Sequence, residues 1–262
     1  MNRVAFNIFG FNVYYYSLCI LLGVIVAYIL ITREGKKQGL QKEFISDLIF
    51  YTLIIGILGA RVYYCVFNLD YYLANPSEIL KIYNGGLAIH GGVIAGLIFV
   101  YLYTKKKNVS FIKILDIVAP AVIIAQSFGR WGNFFNQEAH GGITTYQNLK
   151  NMHIPEFIIN GMHIEDKYYY PTFFFESIWC LIGFIILMIA RKNKNLRKGF
   201  QIGFYFIWYG IGRFFIEAFR TDSLMFFGLK IAQIVSLIGI IIGIIIIVTN
   251  RNKKYYNEME VK

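Results

Sequence analysis

An all-α integral membrane protein, built as a bundle of seven transmembrane helices, is the fold class this sequence predicts, and three observations predict it. Hydrophobic residues fill 57% of the 262 positions and mean hydropathy is +0.52, a composition foreign to ordinary soluble domains. The apolar residues gather in seven runs, each near the about 20 helical residues that a hydrocarbon core requires. The runs are continuous rather than alternating, which excludes barrel strands, and a lipid-exposed backbone satisfies its own polar groups only as a helix or a closed barrel.

In chain order the runs cover 14–32, 44–67, 85–104, 114–134, 171–190, 200–219 and 229–249. Basic residues follow the first, third, fifth and seventh: Arg33, Lys36, Lys37 and Lys42; Lys105, Lys106, Lys107 and Lys113; Arg191, Lys192, Lys194, Arg197 and Lys198; Arg251, Lys253, Lys254 and Lys262. The opposite side holds only Arg3, Lys81, Lys150, Lys167, Arg220 and Lys230. This asymmetry puts the N-terminus outside and the C-terminus inside. A net charge of +11 would suggest a nucleic-acid partner only if the cations formed a face; here they lie in loops, so none is expected. Cys19, Cys65 and Cys180 each sit inside an apolar run, with no spacing for disulfides or a metal. The first run continues to spanning length without a basic leader, so no cleavable signal is expected. The whole chain, 1–262, reads as one transmembrane catalytic domain.

The polar residues inside the runs sort by depth. Tyr16 opens the first run, Arg61 lies in the outer half of the second, and His90 stands near the outer start of the third. Arg130 and Asn133 close the fourth, Glu176 is one turn into the fifth, and Arg213 and Glu217 lie toward the outer end of the sixth. The inner half holds only Asp47 and Asp116 near its boundary, placed to pair with the adjacent basic loops. A shared cavity open to the outer side is the economical explanation. Segment 135–170 is the one long loop; its hydrophobic content favours an ordered cap over that cavity.

The densest polar stretch is GRWGNFFNQEAHGG, residues 129–142. A guanidinium near mid-bilayer costs about 3 kcal/mol, so one that stays has a partner or a ligand. A lone Arg130 would read equally well as a snorkelling helix-end residue; its companions decide against that. Arg130 and Arg213 in one cavity would repel unless an anion lay between them, and the arginine fork matches phosphate oxygens two at a time. In a membrane that anion is a phospholipid headgroup. Asn133 and Asn136 supply amides beside it. Arg213 and Glu217 are spaced i, i+4 and share a helix face, a spacing that would equally make a structural bridge. Tyr209, at i−4 from Arg213, brings a hydroxyl to the same face, and Arg220 belongs to the rim. His90, in GGLAIHGG, is an unobstructed imidazole able to accept a proton in its neutral form. Glu138 and Glu176 are the other candidate bases, and Glu138 is also a candidate counter-ion for Arg130. His140, His153 and His163 show no metal pattern, and neither metal nor cofactor is expected.

At these residues the sequence closely resembles the bacterial phosphatidylglycerol:prolipoprotein diacylglyceryl transferases. GRWGNFFNQEAHG, residues 129–141, fills every fixed position of that family's signature G-R-x-G-N-F-x-N-x-E-x-x-G. GGLAIHGG, residues 85–92, and YGIGRFFIEAFR, residues 209–220, are similar to two further blocks, and Tyr16 matches a tyrosine at the entrance to the first span. The resemblance covers essentially the whole chain. It implies a multi-pass enzyme of the bacterial cytoplasmic membrane, acting at the outer leaflet, that moves the diacylglyceryl group of phosphatidylglycerol onto the lipobox cysteine thiol in a prolipoprotein signal peptide. A thioether forms and glycerol 1-phosphate leaves. By matching position Arg130 and Arg213 handle the phosphate; His90, Asn133, Glu138 and Gly141 line the site; and Tyr16, Tyr209 and Glu217 support it. Asn136, Glu176 and Arg61 are expected as further support, in a monomer. Where the family has H-P-[ST]-Q-L-Y-E, this chain has Tyr170, Pro171, Thr172, Phe173, Phe174, Phe175 and Glu176. The competing function is an anionic-lipid transporter or flippase, which calls for polar residues continuing to the inner leaflet.

Overall fold

A computed structural model describes residues 2–8, 10–221, 225–226, 228–252 and 256. In chain order the elements are β1 (Val4–Ile8), β2 (Phe11–Tyr14), α1 (Tyr15–Lys37), α2 (Lys42–Val66), α3 (Leu69–Ala74), α4 (Ile89–Lys106), α5 (Phe111–Asn136), β3 (Ile143–Thr144), α6 (Tyr146–Asn151), α7 (Glu156–Gly161), β4 (His163–Ile164), β5 (Lys167–Tyr169), α8 (Thr172–Ala190), α9 (Phe200–Phe219), β6 (Met225–Phe226), β7 (Leu229–Lys230) and α10 (Ile231–Asn250). Two 3-10 turns, Pro76–Leu80 and Ile82–Asn84, lead into α4.

Each of the seven apolar runs becomes a helix of 18 to 26 residues. Among the described residues five of these, α1, α2, α5, α8 and α10, are long and apolar enough to cross a membrane. The other two carry more polar side chains: His90, Lys105 and Lys106 on α4, and Gln201, Arg213 and Glu217 on α9. With this many apolar helices the chain is a membrane protein, mostly helical, and among the described residues its strands form two short hairpins and one small three-stranded sheet.

The described residues divide into two compact units, the first drawn from Met1–Ile31 and Leu115–Glu258, the second from Thr32–Ile114. In the first, α5 is the central helix: 56% of its apolar stretch is buried, against 33% for α8 and 11% for α10. Ile123 packs with Cys180 and Leu187 of α8, and Trp208 and Tyr209 of α9 close the same cluster. Small residues bring α9 and α10 together, a common device where helices pack in lipid; a Cβ added to Gly203 would come within 2.8 Å of the Gly243 carbonyl oxygen.

The start of α9 adds to one expectation. Asp116 is wholly buried; Arg191 of the basic loop lies against it, and Asp116 also caps α9. Its Oδ2 accepts the Gly199 N–H at 2.5 Å and its Oδ1 the Ile202 N–H at 2.9 Å. A carboxylate answers both the orphan donors and the positive end of the helix. Arg191 donates to the main-chain oxygens of Asp116 and Ile117. Asp47, in the second unit, accepts from the Tyr103 hydroxyl at 3.4 Å.

Segment 135–170, the expected cap, is ordered. Phe134, Leu149, Ile154, Ile158, Ile159, Met162 and Phe173 form its buried core, Thr145 caps α6 by accepting the Asn148 N–H, and β5 is the middle strand between β3 and β4. In the second unit α2 packs along α4, where Gly92 lies so close to the Gly56 carbonyl oxygen that a Cβ would sit 3.0 Å away.

Candidate active site

The end of α5, the first turns of α8 and the last turns of α9 each bring polar side chains to one place in the first unit. Arg130 projects from α5 with Nη2 2.6 Å from Glu176 Oε1, and the same nitrogen donates to the Tyr209 hydroxyl at 3.2 Å. Arg213 reaches Glu176 from the other side, Nη1 to Oε2 at 3.1 Å, while its Nη2 stands 2.5 Å from Glu217 Oε2. Tyr209 completes the ring by donating to Glu176 Oε1 at 3.3 Å. Glu176 is therefore the anion between the two guanidiniums, its side chain only 4% exposed against 24% for Arg130 and 16% for Arg213. Glu138, expected as a possible counter-ion of Arg130, is instead exposed and held by the amides of Asn133 (3.0 Å) and Asn136 (3.2 Å).

That amide clasp depends on the turn that ends α5. Gln137 and Ala139 take left-handed backbone conformations, φ 53° and 55°, which few non-glycine residues adopt. The Glu138 N–H folds back onto the Asn133 carbonyl, and Gln137 donates to the Gly161 carbonyl of the cap. Tyr16 covers the helix just before this turn, its ring so near Gly132 that a Cβ there would lie 2.6 Å from Cδ2.

The result is a buried, charged cluster with three hydrogen-bonding groups for an oxyanion: two guanidiniums and a phenol, the Arg130 guanidinium keeping a buried Nε without a hydrogen-bond partner. Such donors act strongly where water is excluded.

The prolipoprotein diacylglyceryl transferase family model matches residues 3–249. The chain belongs to this family. Among its relatives are proteins named phosphatidylglycerol–prolipoprotein diacylglyceryl transferase from Bacillus cereus strain G9842 and from Bacillus thuringiensis subsp. konkukian strain 97-27. Each is 48% identical over 251 residues, covering 96% of this chain and 93% of the relative. The protein of that name from Bacillus cytotoxicus is 47% identical over the same coverage.

The residues where this transferase-family chain departs from the H-P-[ST]-Q-L-Y-E pattern serve the cap. Phe173 is buried in the cap core, Phe175 packs against it, and the Tyr170 hydroxyl accepts from Asn148 Nδ2 at 2.7 Å. The retained Thr172 donates to the Ala139 carbonyl at 2.6 Å. Gly141 sits at the junction of three segments: its N–H donates to the Tyr170 carbonyl, it bridges to Arg220, and a Cβ would lie 2.8 Å from that of Tyr170. Its place is explained by this close approach of backbones.

His90 and Arg61 belong to the second unit. His90 is the exposed second residue of α4. Arg61 is buried, and every nitrogen of its guanidinium meets a main-chain oxygen: Nε that of Ile79 (2.9 Å), Nη1 those of Gly85 and Gly86 (2.9 Å each), and Nη2 that of Glu78 (2.6 Å). Its carbon Cζ lies 5.2 Å from the Tyr72 ring centre.

Two groups have a place in the site that the sequence does not assign them. Gln126 and Tyr205, each one turn before Arg130 and Tyr209, make a second rung, Nε2 to hydroxyl at 3.1 Å. Polar contacts therefore reach one turn deeper than Arg130 and Tyr209, and the i−4 spacing was their signal. Lys230 donates to the carbonyls of Glu217, Ala218 and Arg220 and caps the C-terminal end of α9; nothing local in the sequence marks it.

Proposed function

We propose that this chain transfers the diacylglyceryl group of phosphatidylglycerol to the lipobox cysteine thiol of a prolipoprotein, forming a thioether and releasing glycerol 1-phosphate. The observation that carries the reading is the Arg130–Glu176–Arg213 cluster, two phosphate-matched forks held around a single carboxylate, in a family whose relatives bear that activity in their names. The seven long helices are taken as seven spans of one catalytic domain, a monomer in the bacterial cytoplasmic membrane. The N-terminus and the cap 135–170 face outward, the C-terminus faces inward, and the site opens to the outer leaflet; the distribution of basic residues supports that direction.

The chemistry is a displacement at carbon. The thiol sulfur attacks the glyceryl carbon that bears the phosphoester, the C–S bond forms as the C–O bond breaks, and the electron pair leaves on the phosphate oxygen. Arg130 and Arg213 hold the phosphate and offset the charge growing on that oxygen, with the buried, unpartnered Nε of Arg130 as an additional donor. Help of this kind is worth about 3 to 4 kcal/mol per donor. Asn133, Asn136 and Tyr209 orient the headgroup, and Tyr16 and Gly141 bound its space. The thiol proton passes to His90; its exposed position between Ile89 and Gly91, at the start of α4, supports that assignment, and Glu138 is the alternative acceptor.

The test uses purified protein in micelles containing phosphatidylglycerol, with a synthetic lipobox peptide. Glycerol phosphate release is expected to equal the peptide's mass gain, and Arg130→Ala and Arg213→Ala are expected to abolish both. Lipid binding without either product would overturn the transferase reading in favour of transport. His90→Gln with native turnover would remove His90 as the base.

A further inference from the structure

One turn below Glu176 two of the three helices that carry the cluster, α8 and α9, lock together through a reciprocal pair of tryptophans. Trp179 on α8 and Trp208 on α9 stack with ring centres 4.2 Å apart and planes 13° from parallel. The indole Nε1–H of Trp179 donates to the main-chain carbonyl of Trp208 at 2.8 Å, and that of Trp208 to the carbonyl of Trp179 at 2.9 Å. Each ring lies over a glycine of the opposite helix. A Cβ on Gly183 would come within 2.5 Å of Trp208 Cδ1, and one on Gly212 would collide with the Trp179 indole. The motif is the same on both helices, a tryptophan followed four residues later by a glycine, so that stack, bonds and clearances repeat across the antiparallel interface.

A stack alone would tolerate sliding, because ring faces glide over one another. Two hydrogen bonds running in opposite directions between the same backbones do not: shifting α8 along α9 stretches both. The shift that matters is small. One residue of axial slip is about 1.5 Å, enough to break the 3.1 Å contact of Glu176 with Arg213. Glu176 lies three residues before Trp179, while Tyr209 and Gly212–Arg213 directly follow Trp208 and its turn. On the other flank α8 is tied to α5 by Ser177, which hydrogen-bonds Ser127 and accepts from Trp131 Nε1.

We infer that Trp179 and Trp208 are positioning residues of the phosphate site, fixing the axial register of α9 against the α5–α8 pair so that Arg213 stands level with Arg130 on either side of the anion's place. The inference rests on the proposed handling of a lipid phosphate by these arginines. It extends that reading to residues that touch neither phosphate nor reacting atoms.

The experiment compares Trp208→Phe and Trp179→Phe, each keeping an aromatic ring and removing one N–H, with Gly203→Ala, which loosens the α9–α10 contact away from the site. Full-length proteins in micelles are followed by thermal unfolding, by the gain in unfolding temperature on adding phosphatidylglycerol, by kcat and KM, and by the exciton couplet that stacked indoles give in circular dichroism. At matched loss of thermal stability, either tryptophan variant is expected to lose about tenfold or more in kcat, a misplacement effect. It should also lose most of the lipid-induced stabilisation with peptide KM unchanged, while Gly203→Ala keeps both. Native kcat and native lipid stabilisation in both tryptophan variants would overturn the inference and leave the pair as core packing. The lipid-induced shift is read without turnover: a native protein that is stabilised by the lipid but forms no product would refute the transferase reading alone, and the tryptophan effect on that shift would still decide the positioning role.

Discussion

Arg61 and Arg130 are both carried by long apolar helices, yet among the described residues the Arg61 guanidinium meets main-chain oxygens and a tyrosine ring, whereas Arg130 meets a carboxylate and a phenol and Arg213 meets two carboxylates. The difference is one of exchangeability. Carbonyl oxygens that belong to the turns at 78–86 cannot leave without unfolding those turns, so Arg61 acts as their brace. A carboxylate on a side chain can yield its place to another anion, and a cation neutralised that way stays available to a ligand. Arg130, with an unsatisfied Nε, is not yet saturated by its partners.

The largest effect should come from removing the shared anion. Glu176→Gln keeps the side chain's shape but leaves two half-buried guanidiniums with one carboxylate between them, that of Glu217 on Arg213. Breaking a buried pair on one side costs about 3 to 5 kcal/mol, and unfolding in lipid-free micelles should occur correspondingly earlier. Phosphatidylglycerol should then stabilise the variant more than the native protein, since the lipid phosphate supplies the missing charge and binding to the folded state adds to stability. Equal stabilisation of both proteins, measured as the shift in unfolding temperature, would mean that carboxylate and phosphate do not share the site.

Lysine replacements separate the two kinds of arginine. Arg130→Lys and Arg213→Lys lose the fork and should lower kcat/KM by about a hundredfold or more, with unfolding shifted little. Arg61→Lys retains charge but offers three donors to four carbonyls. Its expected signature is the reverse: a loss of about 1 to 3 kcal/mol from an unpaired buried acceptor, with turnover per folded molecule kept. Glycerol phosphate release and thermal unfolding, read on the same preparations, distinguish the two patterns. An Arg61→Lys protein that is stable but inactive would erase the distinction.

The seven helices were legible because apolar runs of spanning length have few alternatives in lipid. Their ends were less so, and the third run shows why: it begins at residue 85, but α4 starts at Ile89 because Gly85 and Gly86 hold φ of 89° and 71°, which a right-handed helix excludes. Arg213 with Glu217 was readable from i, i+4 spacing, and the pair forms. Glu176 was singled out at the right depth as a candidate base, but its bridging place needed the packing of three helices. The Arg61 cage was invisible in sequence because its acceptors are backbone atoms of Glu78, Ile79, Gly85 and Gly86, and any residue type supplies a carbonyl. The tryptophan clasp was hidden for the same reason.

The cap supplies the mildest contrast, a contact in which a neutral donor meets an exposed acid. The Tyr146 hydroxyl donates to Glu156 at 2.9 and 3.2 Å. That hydrogen bond, followed by burial and the nearby negative charge, raises the Tyr146 pKa above its ordinary value. A raised pKa means that the folded cap favours the protonated phenol, so the contribution is fully present below the ordinary tyrosine value of about 10 and is lost as pH climbs through the higher folded value. Amide hydrogen exchange in α6 and α7, corrected for its intrinsic pH dependence, should therefore lose protection at strongly alkaline pH in the native protein. In Tyr146→Phe the protection should be slightly lower at neutral pH and should not fall further over that alkaline window. The same alkaline fall in both proteins would assign it to another group and leave the Tyr146–Glu156 contact as an exposed pair with no measurable hold on the cap. The native pattern would instead mark the cap as a part that loosens separately, through a bond that titrates, while the arginine cluster beneath it responds to its anion.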